Sequence, residues 1–130
     1  LLAAKFCLIP QGDTPSTSRF YSAIAAECIP IVISDEEWTA PFPHLRIPYD
    51  SFAVFIPGRL FIEKPSILFT QTLNMSSTEY ENRLTSLRHY APSLLVTHPS
   101  STLFDTLLHE IQRSTTIAFE KQIYELSQAR

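Results

Sequence analysis

The chain has 130 residues, 45% of them hydrophobic and 18% charged, with a formal net charge of -3 and a pI near 5.8. That composition describes one globular domain with a single core and excludes a disordered chain. The missing basic surplus argues against nucleic acid or an anionic membrane surface as principal partner.

The first apolar run, Phe6 to Ile9, reads as a buried strand. A loop rich in Pro, Gly, Asp, Ser and Thr follows, then an amphipathic segment from Ser18 to Ala26, then the Ile29 to Ile33 run with its Ile-Val-Ile core. Strand, loop, helix and strand make one βαβ unit, whose two strands run parallel. The first loop and the start of the helix then share the carboxyl edge of the sheet, where open α/β sheets bind ligands.

The helix is expected to be capped by Thr17 or Ser18, and to turn Phe20, Ala23 and Ile24 toward the sheet. Arg19 falls in its first turn. Free backbone amides, the positive end of the helix dipole and a guanidinium converge there, a combination suited to a phosphate or diphosphate. The alternative is a solvated surface arginine. Ser22, three residues on, shares a side with Arg19. Only Gly12 and Gly58 are present, where average usage gives about nine. Neither a Walker loop nor G-x-G-x-x-G can be built from them, so any phosphate must be held by helix amides and Arg19. Asp13 reads as a turn residue, with contact to a ligand as the alternative.

Cys7 and Cys28 each open a strand, and in adjacent parallel strands they are neighbours. The pair is read as buried free thiols, with a bond between them as the alternative. Pro30 stands at the start of its strand, where a missing donor is tolerated. Beyond the strand, Asp35 and Glu37 imitate a divalent-metal pair. No D-x-D occurs, and Ser34 to Glu37 is read as a solvated cap with no metal set. Trp38 is expected to plug the edge of the core rather than stack on a ligand.

Pro41 to Pro48 reads as a crossing loop, and Ala53 to Ile56 as a third buried strand. Pro57-Gly58-Arg59 is expected to turn. Leu60 to Ile62 is a further short strand or the lead-in to a helix over Pro65 to Leu73. Ser76-Ser77-Thr78-Glu79 is a capping-box start for a helix over Thr78 to Tyr90, with Ala91-Pro92 as its stop. Leu94 to Pro99 reads as a short extended piece. Thr102 to Arg113 carries an apolar stripe of Leu103, Phe104, Leu107, Leu108 and Ile111. Phe119, Ile123 and Leu126 continue at helical spacing into a sparse tail. Asn74-Met75-Ser76 is an N-glycosylation sequon. The four histidines, His44, His89, His98 and His109, share no metal-ligand spacing. No apolar run reaches the ~18 residues of a membrane span, and the first residues lack the charged start and cleavage site of a signal peptide. The chain begins directly in a strand, and we read it as a fragment or an extracted domain.

Phe6, Cys7, Leu8, Pro10, Gly12, Asp13, Arg19, Ala23, Ile24, Cys28, Ile29, Pro30, Ser34, Asp35, Pro41 and Phe42 stand in the order and spacing of a known pattern. On these residues the chain resembles the exostosin family, glycosyltransferase family 47, with a weaker likeness continuing to about Arg113. The resemblance implies a Rossmann-like α/β fold, a parallel sheet flanked by helices, forming the carboxyl-terminal, donor-binding half of a two-domain GT-B glycosyltransferase. Residues 1–113 would be the nucleotide-sugar-binding domain and 114–130 a helical tail crossing to the missing amino-terminal lobe.

The partners so implied are a nucleotide-sugar donor of UDP-sugar type and a glycan acceptor, with the donor a substrate and no cofactor. Metal dependence stays open. Arg19 would face the donor diphosphate, and the Gly12 to Ser18 loop, with Asp13, would wrap the donor. Ser22 and Asp35 complete the expected donor contacts. The chain departs from the pattern twice: Ser22 stands where Asp or Glu is usual, and Glu27 where Gly precedes Cys. No residue here is convincing as a catalytic base, which the other lobe would supply. Membrane attachment is expected only through an upstream anchor, giving a type II protein of the Golgi lumen. The alternatives are a degenerate, non-catalytic scaffold of the same fold and an unrelated nucleotide-binding α/β domain.

Overall fold

The computed structural model describes residues 4–12, 17–35, 41–43, 45 and 47–128. Strands β1 (Phe6–Pro10), β2 (Ile29–Ile33) and β3 (Val54–Ile56) form one sheet in the order β1-β2-β3, parallel throughout. Helix α1 (Ser18–Ala25) connects β1 to β2. After β3 come α2 (Gly58–Glu63), α3 (Ile67–Thr72), α4 (Ser77–Leu94) and α5 (Leu103–Gln128).

All five residues of β2 are buried, because helices cover both sides of the sheet. On one side Cys7, Ile9 and Val32 pack with Phe20, Ala23 and Ile24 of α1 and Leu87, Ala91 and Leu94 of α4. On the other, Ile29, Ile31, Ile33, Val54 and Ile56 pack with Phe61, Ile67, Leu68 and Met75. The α/β class and the parallel βαβ unit expected from the sequence are therefore present.

The Cys7–Cys28 reading is overturned: the two are joined in a disulfide, with Cα atoms 5.7 Å apart. The register explains it. Cys7 lies opposite Pro30, so Cys28 sits two places earlier on the neighbouring strand and on the same α1-covered face. Closing a loop of 21 residues this way stabilises the fold by about 3 kcal/mol.

Four further expectations are corrected. Pro57-Gly58-Arg59 is not a turn and Leu60 to Ile62 is not a strand: both belong to α2, which starts at Gly58 behind Pro57. Pro92 does not stop α4, which runs on to Leu94. Burial of Leu87, Ala91 and Leu94 outweighs the single bond that Pro92 cannot donate. The expected extended piece from Leu94 to Pro99 is absent: Leu94 ends α4, Leu95 alone is extended, and turns follow to Pro99. The serine half of the capping box is present, the Ser76 hydroxyl accepting from the Glu79 amide at 3.1 Å, while the Glu79 carboxylate pairs with Arg83 at 3.1 Å. The stripe of α5 is not core: Thr106 is buried against its own domain, whereas Phe104 and Ile111 are 71% and 55% exposed.

Candidate ligand site at the carboxyl edge of the sheet

The ends of all three strands lie together, Pro10 pairing with Ile33 and Ile33 with Ile56. The chain leaving each strand is laced to its neighbour. The Gln11 amide donates to the Ile33 carbonyl at 2.8 Å, and the Ser34 amide to the Ile56 carbonyl at 3.1 Å. The Gln11 side-chain oxygen accepts from the Ser34 hydroxyl at 2.8 Å and the Asp35 amide at 3.2 Å. Gln11 is absent from the residues expected to matter. Its position directly after a strand was the available signal.

Asp35 reaches forward to the start of α2. Its Oδ1 accepts from the Arg59 amide at 2.7 Å, so the carboxylate caps α2. A Cβ at position 58 would come within 2.9 Å of Asp35 Oδ2, so a larger residue there would make the Asp35 carboxylate shift. Gly12 has no such constraint: its φ is not positive, and a Cβ would meet nothing within 4 Å.

Arg19 is exposed in the first turn of α1, beside Thr17, whose hydroxyl accepts from the Arg19 amide at 3.3 Å. Among the described residues its guanidinium has no carboxylate partner. No acidic residue offsets the positive end of α1 in its first turn. A cation there is disfavoured unless an anion joins it. Ser18 and Ser22 are both exposed. The Ser22 hydroxyl turns back to the Ser18 carbonyl at 3.2 Å, and Ser22 lines a shallow groove of about 300 Å³ with Tyr21, Leu95 and Leu103. Ser22 and Arg19 therefore share a helix, and Ser22 faces the α4–α5 connection. Asp13, most of the loop behind Gly12, Glu36, Glu37, Trp38 and His44 lie outside the described residues.

Glu27 belongs to the other end of α1. Its φ is +51°, the left-handed value that favours glycine at this position of a helix stop. The Glu27 amide donates to the Ile24 carbonyl at 3.0 Å and the Cys28 amide to the Ala23 carbonyl at 2.9 Å, a Schellman motif. Arg88 of α4 holds the Glu27 carboxylate through Nη2 at 2.6 Å and Nε at 3.0 Å. That hydrogen bond, with the charge behind it, raises the Arg88 pKa. A groove of about 450 Å³ lined by Lys5, Glu27, Tyr80 and Arg88 lies at this end.

The loop after β2 is tied down by Tyr49, whose phenol donates to the Pro41 carbonyl. Phe42, next in the chain, takes a left-handed φ of 54° and packs against the core. Burial, with the Tyr21 phenol and the Glu110 carboxyl as smaller causes, holds the Tyr49 phenol well above its ordinary pKa. Burial also raises Tyr21. Arg83 secures the approach to β3, its Nη1 donating to the carbonyls of Asp50 at 2.8 Å and Ala53 at 3.0 Å. Among the described residues no three His, Cys, Asp or Glu side chains could share a metal ion, and no helix is long and apolar enough to cross a membrane.

A three-stranded parallel sheet covered by helices on both faces, with its strand ends gathered at one edge, defines a Rossmann-like α/β domain. The chain belongs to the exostosin family: the Exostosin GT47 domain matches residues 1–70. It is similar to the probable arabinosyltransferase ARAD1 of Arabidopsis thaliana, 35% identical over 91 residues, covering 67% of this chain and 20% of that protein. Exostosin-1 of Drosophila melanogaster is 35% identical over 63 residues, 48% of this chain and 8% of its own length. The exostosin-1 homolog of Caenorhabditis elegans is 33% identical over 70 residues, 54% of this chain and 18% of its own. The chain thus spans a fifth or less of these curated relatives. No solved structure matches it.

Proposed function

We propose that this chain is the donor-binding part of a glycosyltransferase of GT-B architecture, holding a nucleotide sugar of UDP-sugar type for transfer to a glycan acceptor. The observation that carries the reading is Arg19, unpaired among the described residues and set at the exposed start of α1, in a chain of the exostosin family. The name of one relative, a probable arabinosyltransferase, supports transfer chemistry here.

In that transfer an acceptor hydroxyl oxygen attacks the anomeric carbon, the bond to the diphosphate oxygen breaks, and the nucleoside diphosphate leaves with the electron pair. The acceptor proton passes to a base. Arg19 and the first amides of α1 would neutralise the charge gathering on the diphosphate. The loop from Gly12 through Asp13 to Ser18 would wrap the donor. Ser22 would orient it with one neutral hydrogen bond in place of a carboxylate. Asp35 would act on the donor only through the oxygen not committed to Arg59. In such an enzyme the catalytic base and the acceptor site would belong to the other lobe, toward which the exposed face of α5 and the 114–130 tail would turn. In this reading the parent works in the secretory pathway, in the Golgi lumen behind an upstream anchor. The Cys7–Cys28 disulfide supports that placement, because such bonds persist in oxidising compartments.

The alternative, a non-catalytic scaffold, draws on Ser22 alone. Glu27 gives it no support, since that residue finishes the far end of α1. Calorimetric titration of the full-length protein with UDP and UDP-sugars decides between the two. An enzyme is expected to bind donor, to lose most of that affinity in Arg19→Ala, and to keep or improve it in Ser22→Asp. No donor affinity in the unaltered protein would leave the scaffold.

A further inference from the structure

We infer that Asn74 carries an N-linked glycan. Asn74-Met75-Ser76 is the only Asn-x-Ser/Thr triplet in the chain, the other asparagine, Asn82, being followed by Arg83-Leu84. In the structure Asn74 is exposed in the turn between α3 and α4, and the preceding Leu73 is 76% exposed. Space for a bulky, solvated substituent is therefore present.

Two independent features make the triplet more than a chance pattern, and a third fixes when it must be used. The Cys7–Cys28 disulfide lies in the core between sheet and α1, so the fold matures in an oxidising compartment, where glycan transfer also takes place. Position is the second. Met75 packs against the cluster containing Phe6, and Phe6, Leu73 and Met75 line one groove of about 260 Å³. Phe6 opens β1, so the glycan would project from the amino end of the sheet and leave the carboxyl edge clear. The third is Ser76. Its hydroxyl caps α4 by accepting from the Glu79 amide at 3.1 Å, which engages in the folded protein the group that the sequon must present. Transfer therefore precedes closure of α4, and the same hydroxyl then serves as the cap.

The step takes a lipid-pyrophosphate-linked oligosaccharide as co-substrate. The Asn74 side-chain nitrogen bonds to the sugar C1, the bond from C1 to the pyrophosphate oxygen breaks, the lipid pyrophosphate leaves with the electron pair, and the amide proton goes to a base.

The test is to express the full-length chain in a eukaryotic secretory host, digest it with trypsin and release glycans enzymatically in heavy-oxygen water. One peptide, Leu60 to Arg83, holds both asparagines, because trypsin does not cut before Pro65. Heavy label at Asn74 in most molecules, with none at Asn82, is expected. Ser76→Thr should keep the label. Ser76→Asp, which retains an oxygen to cap α4, should abolish it without lowering the melting midpoint. An unlabelled Asn74 in a chain whose Cys7 and Cys28 are bonded overturns the inference. So does label surviving in Ser76→Asp, or finding both cysteines as free thiols in that host.

Discussion

The two ends of α1 are finished in opposite ways. At its carboxyl end a Schellman motif, the Arg88–Glu27 ion pair and the Cys7–Cys28 disulfide lock the chain back onto the sheet. At its amino end one hydrogen bond at 3.3 Å from Arg19 to Thr17 is the cap, and the Arg19 side chain is exposed and without an ion pair among the described residues. A helix closed at one end and open at the other separates stability from binding. The closed end should govern melting, and the open end should govern affinity.

The largest test breaks the closed end. Cys28→Ser, or reduction of the folded protein, is expected to cost about 3 kcal/mol, lowering the melting midpoint by roughly 10 °C in calorimetry. A shift of a degree or two would mean that the disulfide adds little to the closed end.

A second test asks whether the packing beside α1 is as tight as its closed end implies. Tyr49 meets Phe20 of α1 with ring centroids 6.2 Å apart, and its phenol pKa is raised by burial. The unfolded chain releases that proton near the ordinary pKa of 10.0, while the folded chain holds it. The unfolded state therefore binds fewer protons above that pH, and stability falls as pH rises, by up to ~1.4 kcal/mol per pH unit. Below pH 10 the contribution is intact. Tyr49→Phe should flatten this alkaline decline in urea melts taken across the range, and an unchanged slope would assign it to other groups.

At the open end, Thr17→Ala should cost ~1 kcal/mol in urea denaturation by removing the Thr17 side-chain cap of α1. Thr17→Asp should restore it. Smaller still, Glu27→Gly relieves a left-handed non-glycine residue, and is expected to raise stability by up to ~1 kcal/mol. The gain should be clearest at high salt, where the half-exposed pair with Arg88 is already screened. A net loss at high salt would show that Glu27 holds the closed end by more than charge.

The same contrast explains what the sequence could reveal. The β1-α1-β2 unit was legible because apolar runs, a Thr cap and a loop of turn residues agree with one another within a short stretch. The disulfide was legible only as an alternative, since adjacent strands make the two cysteines neighbours but the register alone puts Cys28 beside Cys7 on one face. Helix α2 was hidden because Pro57-Gly58 imitates a turn locally, and its cap comes from Asp35, remote in sequence. Pro92 misled for a related reason: a local stop signal yields to burial of the residues around it. At the candidate site, Arg19 was visible by position, and the Gln11 lacing was not. The family's glycine preference before Cys28 finds its physical cause in a φ of +51°.

The most direct test compares two arginines at the opposite ends of α1. Donor affinity is measured calorimetrically on the full-length protein, alongside Arg19→Ala and Arg88→Ala. Loss of one charge-assisted contact to the diphosphate predicts roughly 10- to 100-fold weaker binding in Arg19→Ala at an unchanged melting midpoint. Arg88→Ala should bind like the unaltered protein. Equal affinities in all three would contradict an anion site at the open end of α1.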